Sequence, residues 1–109
     1  MPFTSELIKG STELLVLSLM RGRRLHGYEI IKEIRSRSDG HLRVGEGSLY
    51  PLLHRLERDG LVSAEWGEMT GRERRYYRLT LRGEAVLDER RTEWRRHVLA
   101  VERVLGVEA

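Results

Sequence analysis

The segment EGSLYPLLHRLERDG, Glu46 to Gly60, carries four leucines on one helix face and constrains the fold more than any other feature. They follow the steps i, i+3, i+4 and i+7 and are Leu49, Leu52, Leu53 and Leu56. This spacing predicts an amphipathic helix with a single apolar stripe. We expect Ser48 to cap its N-terminus, which places Pro51 in the first turn, where a missing N–H costs little. Gly60 is a suitable residue to end it.

The opposite face of this helix is polar. At 100° per residue, the positions opposite the leucines are Gly47, Pro51, His54 and Arg58, and Tyr50 and Arg55 flank them. Arginine binds guanine edges or phosphates, His and Tyr donate to phosphates, and a helix N-terminus offers free backbone N–H groups. This face therefore has the residue types of a DNA-contacting surface. The alternative is that Arg55 and Arg58 are solvated charges paired with Glu57 and Asp59.

Two further helices are expected before this one. The run STELLVLSLM, Ser11 to Met20, is apolar almost all round, which predicts a buried helix. The segment from His26 to Gly40 places Tyr28, Ile31 and Ile34 at i, i+3 and i+6 among charged residues, the pattern of a short amphipathic helix.

The period changes to two between Leu61 and Thr80. Val62, Ala64 and Trp66 alternate with polar residues, and a second alternating run follows the turn-prone sequence MTGRE. One β-hairpin is predicted, with Trp66 anchoring it to the domain.

Positive charge is concentrated on this hairpin. The whole chain has a net charge of only +3, but residues 69–82 contain five arginines against one glutamate, an excess of +4. The arginines are Arg72, Arg74, Arg75, Arg78 and Arg82. Exposed charges on turns are common, yet a tip with almost no opposing charge favours phosphate contact by Arg72 and Arg74.

A long final helix is expected from Thr80, its N-cap, to about Leu105. Apolar residues follow steps of 7, 4, 3 and 4 along it, and they are Leu87, Trp94, Val98, Val101 and Leu105. A narrow seam with charged flanks is typical of a helix that packs on another helix. A domain of this size cannot cover the helix, so we expect the seam to form a homodimer interface.

This order predicts a mainly α fold with a β-hairpin: a winged helix-turn-helix followed by a long C-terminal dimerisation helix. Residues 1–80 would form the DNA-binding domain and residues 81–109 the dimerisation helix. In such a fold the third helix enters the major groove and the hairpin, or wing, reaches the adjacent backbone.

Composition excludes several other classes. There is no cysteine, hence no disulfide or thiol nucleophile, and no run approaches the roughly 20 apolar residues that span a bilayer, so no membrane partner and a cytoplasmic location are expected. Candidate ligands are scattered without a recognised spacing: His26, Glu29, His41, His54 and His97. We therefore expect no metal, no cofactor and no enzymatic activity.

Several separated motifs resemble the PadR family of bacterial transcriptional regulators. They are KGSTELLVLSLM, HGYEIIKEI, GSLYPLLHRLERDGLV and GRERRYYRLTLRGEAVL, in unbroken order from Lys9 to Leu87. The resemblance implies a DNA-binding winged helix, usually a repressor, that dimerises through its C-terminal helix. Ser48 stands where the family commonly has threonine, which keeps the hydroxyl. The single C-terminal helix is similar to that of the family's compact branch.

The resemblance also implies site residues. On the third helix, DNA contacts are implied for Ser48, Tyr50, Pro51, His54 and Arg55, whereas Arg58 rests on helix geometry alone. On the wing they are implied for Gly71, Arg72 and Arg74. Some relatives bind flat aromatic or phenolic compounds at the dimer interface, and Trp94 is best placed here to stack on one, although dimer packing alone would also explain it.

These observations predict a homodimeric regulator that binds a double-stranded, inverted-repeat DNA operator, acts as a repressor and responds to a small aromatic effector. Two alternatives remain. The fold could serve as a protein-interaction module without DNA, which would require an apolar or acidic third-helix face. It could also sequester a ligand in its interface cavity without binding DNA.

Overall fold

A computed structural model describes residues 5–69 and 71–107 of the chain, except for the side chains of residues 5–10 and of residue 69. The helices are α1 (Ser5–Leu19), α2 (Gly27–Arg37), α3 (Glu46–Arg58) and α4 (Leu81–Leu105), and the strands are β1 (Leu25–His26), β2 (Val62–Met69) and β3 (Arg72–Leu79). The predicted order of three helices, a hairpin and a long helix is confirmed. The two-residue strand β1 is an addition that the sequence did not predict.

The core is formed where the first three helices meet the sheet and the start of α4. Leu17 of α1, Ile30 of α2, Leu53 of α3 and Leu87 of α4 are all completely buried, and Tyr77 of β3 lies among them at 2% exposure. Burying a side chain of this size contributes roughly 1.5–3 kcal/mol. One continuous cluster therefore holds elements from both ends of the chain.

The inward face of α2 differs from the expected one. Its buried residues are Gly27, Ile30 and Ile34, whereas Ile31 is half-buried and Tyr28 is 54% exposed. Ile30 and Ile34 are four residues apart and share a face, and the rotation that buries them turns Tyr28 outward.

Helix α3 begins earlier than the sequence predicted. Gly45, not Ser48, has the extended backbone of an N-cap, and it provides no side-chain cap. Val44, before the cap, and Leu49, four residues after it, are both buried in the core and occupy the positions of a hydrophobic staple. The apolar pair therefore sets the start of the helix in place of the Ser48 hydroxyl.

The earlier start changes the role of Pro51. It lies in the second turn, where its N–H would have bonded to the carbonyl of Gly47. The expectation that the proline belongs to the first turn is therefore wrong. The helix continues through it, and the exposed position of Gly47 leaves its carbonyl open to solvent.

The end of α3 is as predicted. Gly60 has a φ of 77°, in the left-handed region that glycine adopts most readily. Its N–H donates to the carbonyl of Glu57 at 3.0 Å, and the N–H of Leu61 donates to that of Leu56 at 2.9 Å, which together form a Schellman motif.

The three strands form an antiparallel sheet in the order β1, β3, β2. Val62 pairs with Leu79 and Ala64 with Tyr77, and these residues form the face that packs on the helices. Leu25 of β1 pairs with Tyr77 on the other side of β3. The predicted hairpin is confirmed, and β1 ties its inner strand to the segment before α2.

Helix α4 leaves the sheet at a tight junction. Thr80 is its N-cap, as predicted, and its hydroxyl accepts from the N–H of Gly83 at 3.0 Å. A Cβ on Gly83 would lie 2.0 Å from the carbonyl oxygen of Leu61, so only glycine fits there. Since Leu87 is completely buried within one chain, its assignment to a dimer interface is wrong, and it anchors α4 in the core instead.

Beyond Arg90 the side chains of α4 are mostly exposed, including the apolar ones. Among the residues described, no helix combines the length and the apolar character needed to cross a membrane.

Candidate nucleic-acid interface

The face of α3 that points away from the core is polar and open. The opposite side is closed, because Leu49, Leu53 and Leu56 are no more than 1% exposed. The predicted DNA contacts that lie exposed on α3 are Gly47, Ser48, Pro51, His54, Arg55 and Arg58. A Cβ placed on Gly47 would meet no atom within 4 Å. The first turn of α3 can therefore be approached closely by a ligand.

Tyr50, also a predicted DNA contact, is half-buried at the junction of α3 with α2. A Cβ on Gly27 would lie 2.5 Å from the Tyr50 hydroxyl oxygen. The absence of a side chain at Gly27 lets the tyrosine ring lie directly on the start of α2. Tyr50 thus packs two helices together, and a DNA contact by its hydroxyl stays a prediction.

The two arginines of α3 have different surroundings. Arg55 Nη2 lies 3.2 Å from Glu13 Oε2 on α1. Arg58 is exposed and has no ion-pair partner among the described residues. The alternative in which both arginines pair with Glu57 and Asp59 is not observed. Only Arg58 leaves its charge fully available on the open side of the helix.

Glu57 instead pairs with Arg75 of β3, Oε2 to Nη2, at 3.0 Å. This ion pair joins the far end of α3 to the hairpin. Both side chains are about one-third exposed, so the pair contributes modestly to stability, on the order of 1 kcal/mol or less. Its structural effect is to hold the hairpin beside the polar face of α3.

The five arginines of the hairpin region fall into two groups. Arg75 pairs with Glu57, and Arg78 with Glu65 at 2.7 Å. Among residues whose positions are described, no carboxylate pairs with the other three, which are Arg72, Arg74 and Arg82. Arg72 and Gly71 lie exposed at the tip and Arg74 is half-buried. Arg72 and Arg74, for which DNA contact was predicted, therefore have no ion-pair partner on the tip, although Glu68 and Glu73 also lie at that end of the hairpin. Arg82 lies in the first turn of α4.

Trp66 does not anchor the wing as expected. It is 65% exposed, and the guanidinium of Arg75 lies 5.6 Å from its ring centroid. The pleat places Trp66 on the same face of the sheet as Val62 and Ala64, but beyond the end of the helical layer. The alternation of apolar and polar residues correctly predicted the sheet face on which Trp66 lies, but it gave no information on where along the strand the core ends.

Tyr76 anchors the hairpin from the other face of the sheet. A Cβ on Gly67 would be 2.8 Å from its ring, the Arg24 guanidinium lies 4.4 Å from the ring centroid, and its hydroxyl is buried without a hydrogen-bond partner among the described residues. Arg24 also bonds to Glu65, as does Arg78, and these two hydrogen bonds hold the pKa of Glu65 below its usual range. No local sequence pattern indicates this cluster, because Arg24 precedes Glu65 by some forty residues.

His26 caps α2 in place of binding a metal. Its Nδ1 accepts from the N–H of Glu29 at 3.3 Å, and the Glu29 carboxylate accepts from the N–H of His26 at 3.0 Å, a capping box with histidine as the cap. Burial lowers the pKa of His26, Arg74 lowers it further, and Glu29 opposes this. Within the described residues no three His, Cys, Asp or Glu side chains are grouped to hold a metal ion.

The expected interface residues of α4 follow Leu87 along the same side of the helix. Trp94 is 45% exposed, Val101 41% and Leu105 69%, while Val98 is half-buried. Trp94 lies against His97, with ring centroids 6.1 Å apart. Apolar side chains thus continue from the core onto a part of α4 that one chain leaves uncovered.

A three-helix layer, a sheet with a basic hairpin tip and an open third helix define a winged helix-turn-helix protein of the DNA-binding kind. Comparison with known proteins identifies the family. The model of the transcriptional regulator PadR-like family matches residues 16–89, and the chain belongs to that family. Its members are transcriptional regulators and not enzymes.

Related proteins support this assignment over most of the chain. Transcriptional regulator Rv3488 of Mycobacterium tuberculosis is 40% identical over 86 residues, which is 79% of this chain and 78% of that protein. A transcriptional regulator from Clostridium thermocellum, Cth-833, is 32% identical with a TM-score of 0.84, covering 93% of this chain and 96% of that structure. A PadR-like transcription factor from Bacteroides fragilis is 37% identical with a TM-score of 0.74, covering 92% and 95%.

The lowered pKa of His26 predicts how stability depends on pH. A folded-state pKa below the unfolded value of about 6.5 means that the unfolded chain binds the proton more readily. The free energy of unfolding should therefore be highest above about pH 6.5 and fall as the pH drops through that value toward the folded pKa. In a His26→Asn variant, which keeps a neutral capping side chain, urea denaturation at several pH values should show a weaker decline. His97→Asn, on the exposed part of α4, is the control and should keep the wild-type decline. An unchanged pH dependence in His26→Asn would show that other groups cause it.

Proposed function

We propose that this chain is a repressor that binds an inverted-repeat operator as a homodimer and is released by a small aromatic effector. The observation that carries the proposal is an open polar face on α3 together with two arginines, Arg72 and Arg74, on the neighbouring hairpin that have no ion-pair partner among the described residues. In a winged helix these two surfaces meet the major groove and the neighbouring phosphates. A polar to basic α3 face counts against a protein-interaction module without DNA.

The residues divide by task. Arg72 and Arg74 on the wing bind phosphates, which supplies affinity without sequence information. The α3 side chains supply base selection, and His54, Arg55 and Arg58 are the polar groups long enough to reach base edges or the flanking backbone. Ser48 and the free N–H groups of the first turn contact a phosphate at the rim of the groove.

Dimerisation follows from the uncovered part of α4. Trp94, Val98, Val101 and Leu105 lie within about 60° of one another around the helix and would pair with the same residues of a second copy around a two-fold axis. Two α3 helices related by that axis would enter successive major grooves, with half-sites about one helical turn apart.

Removal of wing charge should weaken binding to every sequence alike. In fluorescence anisotropy titrations across a salt series, Arg72→Ala and Arg74→Ala should each reduce affinity for the operator and for random duplex. In a plot of the logarithm of the binding constant against the logarithm of the salt concentration, each variant should also have a shallower slope. The change should be about 0.9 for every phosphate that the arginine neutralises in the wild-type complex. The operator is obtained first, by selecting genomic fragments that the wild-type protein retains.

Arg95→Ala is the matched control for this experiment, because it removes the same charge from an exposed position on α4. It should leave the salt slope almost unchanged. If the wing variants behave like this control, the hairpin does not contact DNA.

The interface is tested by charges on the seam. A Val101→Asp, Leu105→Asp variant should be monomeric by light scattering and should lose operator binding, because burying two carboxylates against an apolar partner is costly. Leu99→Asp adds the charge about 100° or more around the helix from the seam and should remain dimeric. Val101 and Leu105 lie outside the core, so circular dichroism should show that the monomeric variant keeps its secondary structure. A dimeric double variant would exclude the seam.

The effector is proposed to stack on Trp94 between the two α4 helices. A ligand there that prefers a spacing of the α3 helices unlike that of the operator complex lowers DNA affinity by that preference and no more. The chain has a second tryptophan on the wing, so the titration should use a Trp66→Phe background. Phenolic and planar aromatic compounds should quench the remaining Trp94 emission and displace the operator over the same concentration range. Displacement that is unaltered in a Trp94→Leu variant would remove Trp94 from the site.

A further inference from the structure

One carboxylate is shared by arginines from two different helices. Glu13 lies on α1, its side chain is 22% exposed, and its two oxygens take different partners. Oε2 is 3.2 Å from Arg55 Nη2 on α3, and Oε1 is 2.8 Å from Arg90 Nη1 on α4. Glu13 therefore joins the helix proposed to read DNA to the helix proposed to form the dimer.

The position of Arg55 on α3 explains why this matters. It lies about 110° around the helix from the centre of the leucine stripe, on the side that faces α1. A flanking arginine of this kind can extend toward a phosphate or fold back toward α1. In the structure it folds back onto Glu13, which it shares with Arg90, so its charge is partly offset.

We propose that Glu13 competes with a DNA phosphate for Arg55, and that Arg90 sets the strength of this competition. The inference rests on the proposed function, because it requires α3 to bind DNA. The inference adds Glu13 as a residue that restrains DNA binding, although its helix α1 does not itself enter the groove. It also provides a route by which α4 affects α3.

The physical basis is the sharing of one negative charge. While Arg90 occupies Oε1, the field of Glu13 at Arg55 is partly neutralised, and Arg55 moves to a phosphate at low cost. If α4 shifts on α1 so that Arg90 withdraws, Glu13 holds Arg55 more strongly and DNA affinity falls. By linkage, a phosphate that takes Arg55 leaves Glu13 to Arg90 and strengthens the contact between α1 and α4.

The solvent exposure of Arg55 and Arg90 allows each of them to exchange one ion-pair partner for another. The side chains of Arg55 and Arg90 are 48% and 41% exposed, so neither is locked by packing. A second ion pair, Arg21 with Asp88, also links the end of α1 to α4 but does not touch α3. It provides a control with the same chemistry and without the connection to DNA.

The first experiment removes the charge of Glu13. Glu13→Gln should bind the selected operator and random duplex about two- to five-fold more tightly per recognition helix at low salt, the range expected when an exposed ion pair no longer competes. The gain should shrink as salt rises, because these charges are screened. Asp88→Asn changes the net charge equally and should produce a clearly smaller gain. In an Arg55→Ala background, Glu13→Gln should add nothing beyond the effect of Asp88→Asn.

The second experiment removes Arg90. Arg90→Ala should weaken DNA binding by about two-fold, because Glu13 then acts on Arg55 alone. Arg91→Ala removes a neighbouring exposed charge and should have a smaller effect. Combined with Glu13→Gln, the Arg90→Ala effect should fall to that of Arg91→Ala. Thermal unfolding of each variant, monitored by circular dichroism, checks that the fold is retained.

The outcomes separate this inference from the proposed function. Tighter binding by Glu13→Gln that depends on Arg55 supports competition. Weaker binding would mean that Glu13 positions Arg55 for DNA, and a change equal to that of Asp88→Asn would mean no coupling; either result overturns the inference while wing variants still lose affinity. If the wild-type protein binds no duplex at any salt concentration, the proposed function itself fails and the inference with it.

Discussion

Burial of one face of α3 is the constraint on which the interface depends. Leu49, Leu53 and Leu56 are almost completely enclosed, which fixes the rotation of the helix about its own axis. Once that rotation is set, the directions of the other faces are fixed. Glu57 lies toward the sheet, Arg55 lies toward α1, and the remaining polar face points to solvent. Three buried leucines contribute roughly 1.5–3 kcal/mol each, whereas the exposed ion pairs at the flanks contribute about 1 kcal/mol or less. Packing therefore orients α3, and the charges follow.

Carboxylates determine which arginines are paired within one chain. The chain has 20 basic and 17 acidic residues, so its net charge of +3 says little about nucleic-acid binding. The structure shows that Glu13, Glu57 and Glu65 each hold at least one arginine within one chain. Arg72 and Arg74 at the tip of the hairpin and Arg58 on the outer face of α3 are among the arginines with no ion-pair partner in the described part of the chain. The sequence shows where arginines outnumber carboxylates locally, but only the ion pairs of the folded chain show which of those arginines are unpaired.

The sequence predicted those features that depend on period and on special backbone residues. The leucine stripe, the end of α3 at Gly60 and the cap at Thr80 all follow from local rules and are confirmed. The expected cap at Ser48 was wrong, since the helix is capped at Gly45, where Val44 and Leu49 occupy the positions of a hydrophobic staple. A two-residue strand such as β1 has no period to detect, since its existence depends on pairing with β3.

Contacts between residues far apart in the sequence were the second kind of feature that the sequence did not predict. Nothing in the local sequence says that Glu13 meets Arg55, 42 residues away, because the contact exists only in the folded arrangement of α1 and α3. The seam on α4 shows the same limit, since Leu87 and Trp94 lie on the same side of the helix, seven residues apart, although Leu87 lies in the core and Trp94 does not. Periodicity identifies a face of a helix, and only the length of the neighbouring elements decides where on that face the core ends.

The two parts of α4 lie in different environments, and this limits how binding at its distal part can affect α3. Its first turns are held rigidly, because Gly83 touches the carbonyl of Leu61 and Leu87 is enclosed by the core. The side chains of its later turns are mostly exposed. In the mechanism that we propose, a ligand or partner on the distal part acts through a small shift of α4 on α1. Arg90 lies at the boundary between these two parts, three residues beyond Leu87, with its guanidinium on Glu13. Under that proposal, such a shift changes the contact of Arg90 with the carboxylate that also holds Arg55 of α3.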